Sequence, residues 1–303
     1  MMPIPVGLFL RSAMQTTSKS FAQELKSELV NKAKNASSAV WQASLNNRKK
    51  EELAFHNKDR NAEIISNLPK DTFELLHGNK KYYSTTQLSR AYVESWIKKN
   101  CGEKIFLDYA CGNGAMSLLA AQAGAALSIG IDISDVSIQN CQAKANSCHL
   151  SENTLYLQGD CENTGLPDNS VDIVICSGML HHLDLSYAFP ELRRILKPGG
   201  KVLAVEALNY NPVIKLYREF TPQMRTKWEK GHILSMRDVS FAQRFFEVSE
   251  VHFWHLFSIL GVFIKIEAVH RLFNALDRIV LKIPIIRLMA WQFTFVLSKR
   301  NDN

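Results

Sequence analysis

The sequence predicts a Rossmann-like α/β protein: a doubly wound, mostly parallel seven-stranded sheet with a C-terminal antiparallel hairpin, a helical N-terminal extension and a helical insertion in the hairpin. Three observations carry this. From residue 104 onward, short apolar runs alternate with helical patterns at the spacing of strand–helix–strand units. The run Ile105-Phe-Leu-Asp-Tyr-Ala-Cys-Gly-Asn-Gly passes from a strand through a glycine-rich turn into a helix. Pro198-Gly199-Gly200 is strong punctuation between a helix and the strand that follows.

Taken in order, residues 1–20 look loose. From Phe21, apolar residues at Phe21, Leu25, Leu29, Ala33, Ala36 and Val40 mark one face of a helix, with Lys26, Lys32 and Lys34 on the other. That face is rich in alanine and short of bulk, which suits packing on the main domain better than lying on a membrane surface. A polar run, Asn46 to Arg60, precedes a helical stretch from about Arg60 to Asn100 that Gly78 interrupts. Strands are expected at Lys104–Leu107, Ala126–Ile131, Leu155–Gln158, Val171–Cys176 and Lys201–Ala207, with helices near 115–124, 134–148 and 186–196. Runs this apolar belong to a parallel sheet covered on both faces.

Residues 208–235 read as polar and irregular, followed by a helix near 236–246. Glu247–Leu256 and Ala290–Leu297 are expected as the hairpin strands, joined through a helical, apolar and basic segment at about 257–289. This segment carries Lys265, Arg271, Arg278, Lys282 and Arg287 among apolar residues such as Ile259, Phe263, Leu272 and Ile279. It can roof an acceptor pocket or merely thicken the core. The expected division is a helical extension over 1–80 and a single domain over 81–303 that contains the insertion.

Composition narrows the class. The 303 residues are 46% hydrophobic and 21% charged, with 14 Gly and 9 Pro, which excludes collagen, low-complexity and acidic disordered chains. A net charge of +7 is spread along the chain, so it does not indicate nucleic acid, although it favours weak attraction to anionic surfaces. Cys101, Cys111, Cys141, Cys148, Cys161 and Cys176 form no CxxC pair, so no zinc ribbon or redox motif is expected and the thiols suit a reducing compartment. Val251 to Ile264 is apolar but only 14 residues long, too short to span a bilayer. Residues 3–10 have no basic residue before them, against a secretory signal. The first 50 residues hold eight Lys or Arg against Glu24 and Glu28, with many Ser and Thr, so a plastid or mitochondrial presequence stays open as the minor alternative, although the stretch is Lys-rich rather than Arg-rich. The expected location is cytoplasmic, with peripheral membrane association as the open variant.

The glycine-rich turn carries the chemistry. Gly112 and Gly114 let the backbone approach a ligand, and the helix that follows presents free N–H groups. A dinucleotide fingerprint would need glycine where Ser117 stands, and Asp108 would repel a pyrophosphate. An acid leading the turn suits a cationic amine instead. Twenty residues beyond Gly112, Asp132 ends the second strand, where a carboxylate accepts both ribose hydroxyls. Asp160 and Cys161 follow the third strand, where an acid can accept the exocyclic amine of adenine. Ser177 and His181-His182 follow the fourth, on the carboxyl edge where open α/β sheets bind ligands. The combination reads as adenosine without phosphates.

These residues resemble the class I S-adenosylmethionine-dependent methyltransferases, in the small-molecule group that includes the ubiquinone/menaquinone enzymes. The resemblance covers about 82–208: LDYACGNG, GIDIS, GDCENTGLPDNSVDIV, SGMLHHL and LRRILKPGGKVLAVEAL. Ala110 and Cys111 depart from the usual turn, where Gly and Cys or Ser are common. The resemblance implies S-adenosyl-L-methionine as cofactor, held by Asp108, Ala110, Gly112, Gly114, Asp132, Ile133, Asp160, Cys161 and Ser177, with Tyr82 and Tyr83 closing over its methionine end. It implies an enzyme that methylates a small acceptor, with no metal and no nucleic-acid partner.

Methyl transfer is an in-line displacement that needs a base only when the acceptor carries a proton. His181 is the candidate base, because its pKa lies near neutrality; capping or packing of the next helix is the structural alternative for it and for His182. Glu206, Asn209, Arg225 and His232 are substrate-side candidates that read more readily as structural, and Phe253, Trp254, Phe257, Phe263, Phe273 and Trp291 read mainly as core. The expected acceptor is hydrophobic or amphipathic: a quinone, lipid or natural product. The alternatives are an RNA or protein methyltransferase, or an inactive binding protein. Ser177-Gly178-Met179-Leu180 stands where amino-methylating enzymes of nucleic acids carry Asn/Asp-Pro-Pro-aromatic, which weighs against RNA.

Overall fold

A computed structural model describes residues 6–35, 37–264 and 266–300; Ala36 of the expected N-terminal face and Lys265 of the insertion lie outside the described residues. The N-terminal region comprises α1 (Val6–Asn35), α2 (Ser38–Ser44), α3 (Asn47–Arg60), α4 (Ala62–Ser66), α5 (Lys70–His77), a 3-10 helix (Gly78–Thr85) and α6 (Gln87–Asn100). The sheet then begins with β1 (Ile105–Tyr109), α7 (Ala115–Gln122), β2 (Leu127–Asp132), α8 (Asp135–Ser147), β3 (Thr154–Gln158), β4 (Val171–Ser177), α9 (Leu185–Ile195) and β5 (Leu196–Ala207). Three helices follow, α10 (Pro212–Phe220), α11 (Lys227–His232) and α12 (Met236–Ala242), and then β6 (Glu247–Trp254), α13 (Glu267–Val280) and β7 (Gln292–Ser298).

The strand order is β3-β2-β1-β4-β5-β7-β6. β1 to β5 are parallel neighbours, and β7 runs antiparallel between β5 and β6. This is the expected seven-stranded sheet with its terminal hairpin. Because β6 opposes β7 as β5 does, β6 points the same way as the parallel strands and delivers the chain to their carboxyl edge. Every residue of β1 and β2 is buried, as strands covered on both faces require. Leu107, Ile129, Val174 and Ala204 share one cluster with Phe189 and Leu192 of α9. Phe106, Ile175 and Leu203 share another with Val93, Trp96 and Ile97 of α6. Each such side chain contributes about 1.5–3 kcal/mol on burial, so the platform under the carboxyl edge is stiff.

The N-terminal helix starts earlier than the loose reading of 1–20 allowed, and its described face packs on the sheet domain. Ala22, Leu25 and Leu29 join the main core cluster, whereas Val40, in α2, is 70% exposed. Lys26 Nζ donates to the carbonyls of Ser151 and Glu152 (2.8 Å each), and Lys32 Nζ to that of Gly165 (2.7 Å). Two of the three cations on that side, Lys26 and Lys32, therefore bind the protein, which favours packing over a membrane surface.

Two expectations are corrected. The polar run 46–60 is a helix, α3, capped by Asn46, whose Oδ1 accepts from Lys49 N at 3.0 Å. It shows no apolar stripe because the surface it covers is itself polar. Residues 208–235 are not irregular either: Asn211 caps α10 with Pro212 at its first turn, and Thr226 caps α11.

Candidate active site

β1 ends in a turn built from left-handed conformations. Ala110 sits at φ +56°, Gly112 at +53° and Gly114 at +74°. Ala110 therefore adopts a conformation that costs a non-glycine residue roughly 1 kcal/mol or more. Cys111 N is held by the Ile131 carbonyl (2.9 Å), and Gly112 N donates to Asp132 Oδ2 (2.8 Å). Gly114 is required by packing rather than by a ligand: a Cβ there would lie 2.8 Å from Cys141 Sγ.

Asp108 does not face the cleft as expected. It is 3% exposed, and its Oδ2 accepts from Ser117 N at 2.9 Å, tying β1 to the start of α7. Burial pushes its carboxyl up to about 7, against the lowering effect of the Ser117 hydrogen bonds. It braces the turn from behind.

Ala110, Asp132, Ile133, Asp160, Cys161 and Ser177 do line one cleft at the carboxyl edge. The opposite wall is α3, with Arg48, Lys49, Glu52, His56 and Arg60. Arg60 Nη1 lies 3.2 and 3.0 Å from the two carboxylate oxygens of Asp132, and its guanidinium is 3.5 Å from where a Gly112 Cβ would stand. Lys49 Nζ reaches Asp160 Oδ2 at 2.6 Å and Glu162 Oε2 at 2.8 Å. Arg48 binds Glu162 Oε1 at 2.5 Å. These cations fill the cleft, leaving about 80 Å³.

Glu52 turns the other way, accepting from Thr226 Oγ1 at 2.6 Å and pairing with His182 Nδ1 at 3.0 Å and His56 Nε2 at 3.4 Å. Burial alone would raise its carboxyl, but these hydrogen bonds outweigh it and hold it well below the usual carboxylate range. Glu52, His56 and His182 bring ligand atoms within 4.8 Å of one another, a grouping that the hydrogen bonds to Glu52 already explain.

His181 belongs to a second, larger cavity of about 500 Å³. Its ring centroid is 4.3 Å from that of His182, so the histidine pair divides the two cavities. His181 Nδ1 lies 2.6 Å from Glu206 Oε2, while Glu206 Oε1 accepts from Met179 N (2.8 Å) and Leu180 N (2.7 Å). Glu206 is 1% exposed on β5. Sequence reading set it aside as structural; the structure makes it the partner that orients the imidazole. Burial disfavours the imidazolium, but the Glu206 carboxylate outweighs it and raises the pKa of His181.

Tyr82 and Tyr83 belong to this second cavity too, not to the first. Tyr83 packs on Trp291 at 5.3 Å, and Tyr82 edges onto Tyr217 and Phe263 at 5.6 and 6.2 Å. Tyr83 lines the cavity and is 48% exposed as a residue, while desolvation of its phenol raises the pKa above its ordinary value. Phe257, Phe263 and Trp291, read as core, are cavity wall, as is Arg225. Asn209 lines a small neighbouring pocket, and His232 stacks on Trp228 at 3.6 Å away from both sites. Glu206 was a substrate-side candidate read mainly as structural, whereas α3, Arg218 and Glu229 are cavity residues that sequence reading missed.

A domain model described as a methyltransferase domain matches residues 107–204. The chain is 32% identical over 130 residues to the ubiquinone/menaquinone biosynthesis C-methyltransferase of Psychromonas ingrahamii, covering 41% of this chain and 50% of that one. It is 31% identical over 120 residues to a ribosomal protein L11 methyltransferase of Burkholderia vietnamiensis, covering 40% and 36%. The match spans a quarter to a half of the length of such relatives. In fold it is similar to the geranyl diphosphate C-methyltransferase of Streptomyces coelicolor, with TM-score 0.57, 13% identity, and coverage of 84% of this chain and 99% of that one.

The sheet order and these matches define a Rossmann-like fold that contains a methyltransferase domain. Residues 107–204 carry a methyltransferase domain similar to those of the class I S-adenosylmethionine-dependent methyltransferases, and S-adenosylmethionine is the cofactor of that class.

Proposed function

We propose that the protein transfers a methyl group from S-adenosylmethionine to a small hydrophobic or amphipathic acceptor. The observation that carries this is the cavity beside the cofactor cleft, walled by Tyr82, Tyr83, Tyr217, Phe257, Phe263 and Trp291 and bounded by the His181–Glu206 pair. Its size and lining suit a small organic molecule.

Asp132 and Asp160, with Ala110, Ile133, Cys161 and Ser177, would hold the cofactor, and the two acids fit a ribose and an adenine amine. The cofactor supplies an electrophilic methyl group. Glu206 fixes Nδ1 of His181 as the protonated nitrogen, which leaves Nε2 unprotonated to take a proton from an acceptor hydroxyl or phenol. The aromatic wall excludes water and positions the acceptor. The proposed division at residue 80 runs through the cleft, since α3 of the extension supplies one wall. We also place the acceptor cavity against a membrane surface, because its rim is apolar and basic.

Incubation with methyl-labelled S-adenosylmethionine and cell extract tests the reading. Label is expected in the organic-soluble fraction. Label confined to protein or RNA would replace this reading with that of a macromolecular methyltransferase.

A further inference from the structure

One face of α10 places Ile214, Tyr217 and Arg218 in the wall of the acceptor cavity. Ile214 and Tyr217 are natural there; Arg218 is not. Its Nη1 is buried without a hydrogen-bond partner, and the side chain forms no ion pair among the described residues. Burial and the neighbouring Arg225 charge together lower its pKa to about 10. A desolvated cation without a partner is costly, and neither packing nor fold explains its retention.

Arg225 is different. Its Nη1 donates to the Thr221 carbonyl (2.9 Å) and to Thr221 Oγ1 (3.0 Å), and its Nε pairs with Glu229 at 3.3 Å. Glu229 pairs with Arg225 and also acts on Arg218 from a distance, so one carboxylate faces two arginines and one positive charge is left over. Both arginines also line a smaller pocket on the far side of the same wall, with Lys215 and Lys230 against the single carboxylate of Glu219. The largely apolar cavity thus has excess positive charge in its wall, and Arg218 and Arg225 are common to both pockets.

We propose that the acceptor is an amphipathic anion, whose apolar body fills the aromatic cavity and whose carboxylate or phosphate group is held by Arg218, with Arg225 and the outer lysines adding to the field. The guanidinium offers a planar pair of donors suited to either group. This rests on the acceptor reading above and narrows it to acidic lipids, acidic natural products and phosphorylated hydrophobes.

The test measures binding of decanoate, decyl phosphate and decanol to the full chain by calorimetry, with S-adenosylhomocysteine present. Both anions are expected to bind at least tenfold more tightly than the alcohol. In R218M the preference should fall to within twofold, with decanol affinity held, because methionine fills the volume without the charge. Equal binding of all three probes to the parent protein, or a preference that survives R218M, overturns the anion site and leaves the acceptor cavity standing. Failure of all three to bind overturns the acceptor reading itself. Should R218M not fold, R218Q replaces it under the same criteria. The stronger of the two anions distinguishes a carboxylate from a phosphate acceptor.

Discussion

Three hydrogen bonds converge on the Glu206 carboxylate, two from backbone N–H groups and one from His181. Gln in its place cannot accept all three. With its oxygen on Met179 and Leu180, its amide would donate to His181 Nδ1 and move the ring proton to Nε2, the wrong tautomer for a base. We expect His181→Ala to lower turnover on a hydroxyl acceptor by on the order of 10²–10⁴, with Glu206→Gln approaching it, while cofactor affinity stays unchanged. The sign of the pH dependence follows from the raised pKa. The base form is needed, so the parent rate should rise with pH along a limb lying above 6.5, and His181→Ala should lose that limb. A parent-like rate and profile in the alanine variant would make His181 structural. Asp108 offers a second test. Its folded pKa of about 7 exceeds the usual 3.8, so the folded state holds the proton more tightly, and stability present at low pH is lost as pH rises from about 4 to 7. Asp108→Asn should therefore gain on the parent over that interval; even ~1 kcal/mol shifts Tm by roughly 2–4 °C, readable by calorimetry. A constant Tm difference across pH would remove Asp108 from the titrating groups.

α3 shows what an element can hide. Its sequence, NRKKEELAFHNKDR, has no apolar stripe, so periodicity gives no reason to place it against anything. It packs all the same, because Arg60, Lys49 and Arg48 find Asp132, Asp160 and Glu162, and Glu52 finds His182 and Thr226. The opposite was true of the strand ends. Asp132, Asp160 and Ser177 were legible as residues of one cleft because each ends or closely follows an apolar strand, and parallel topology sends all such ends to one edge. Glu206 escaped because one acid at the end of a strand has the same pattern whether its side chain meets solvent or a buried histidine. A ligand that uses Asp132 and Asp160 must displace the α3 cations. Arg60→Ala is accordingly expected to tighten S-adenosylmethionine binding, by about tenfold for one charged hydrogen-bonded contact removed from the competition. Asp132→Asn is expected to weaken binding by at least as much. Calorimetry reads both; weaker binding in Arg60→Ala would show that Arg60 holds the cofactor rather than competing with it.

At the scale of the whole molecule, the two cavities share the carboxyl edge, and apart from Ala207 at the end of β5 and His181 after β4 the larger one is enclosed by elements outside the parallel strands. The 3-10 helix of residues 78–85, α10, and the segment after β6 supply its wall. That wall was not legible beforehand, because aromatic residues around a cavity have the same spacing as aromatic residues in a core. The insertion is anchored as a core element would be. Asp277 of α13 is 2% exposed and accepts from Leu256 N, Phe257 N and Ser258 N, and Leu281 joins the main cluster. Yet its outer side is apolar: Phe263 is 69% exposed, Ile279 66% and Ile285 80%, and Phe220 at the end of α10 is 77% exposed. Arg271, Arg278 and Lys282 accompany them. No helix among the described residues is long and apolar enough to cross a membrane, so any attachment by these elements is to its surface. Exposed aromatic and aliphatic side chains beside cations suit an anionic bilayer, and one of them, Phe263, also lines the larger cavity. Deleting the insertion would remove the Asp277 cap and test folding instead, so substitution of the exposed groups is the sharper experiment. Phe263→Ser, Ile279→Ser and Ile285→Ser combined should retain the melting temperature and S-adenosylmethionine affinity. Binding to vesicles rich in phosphatidylserine, measured by co-sedimentation, should fall at least tenfold, since each buried side chain contributes about 1.5–3 kcal/mol. Undiminished vesicle binding in the triple variant, or a parent protein that never sediments with vesicles, would show that this apolar rim does not dock on a bilayer.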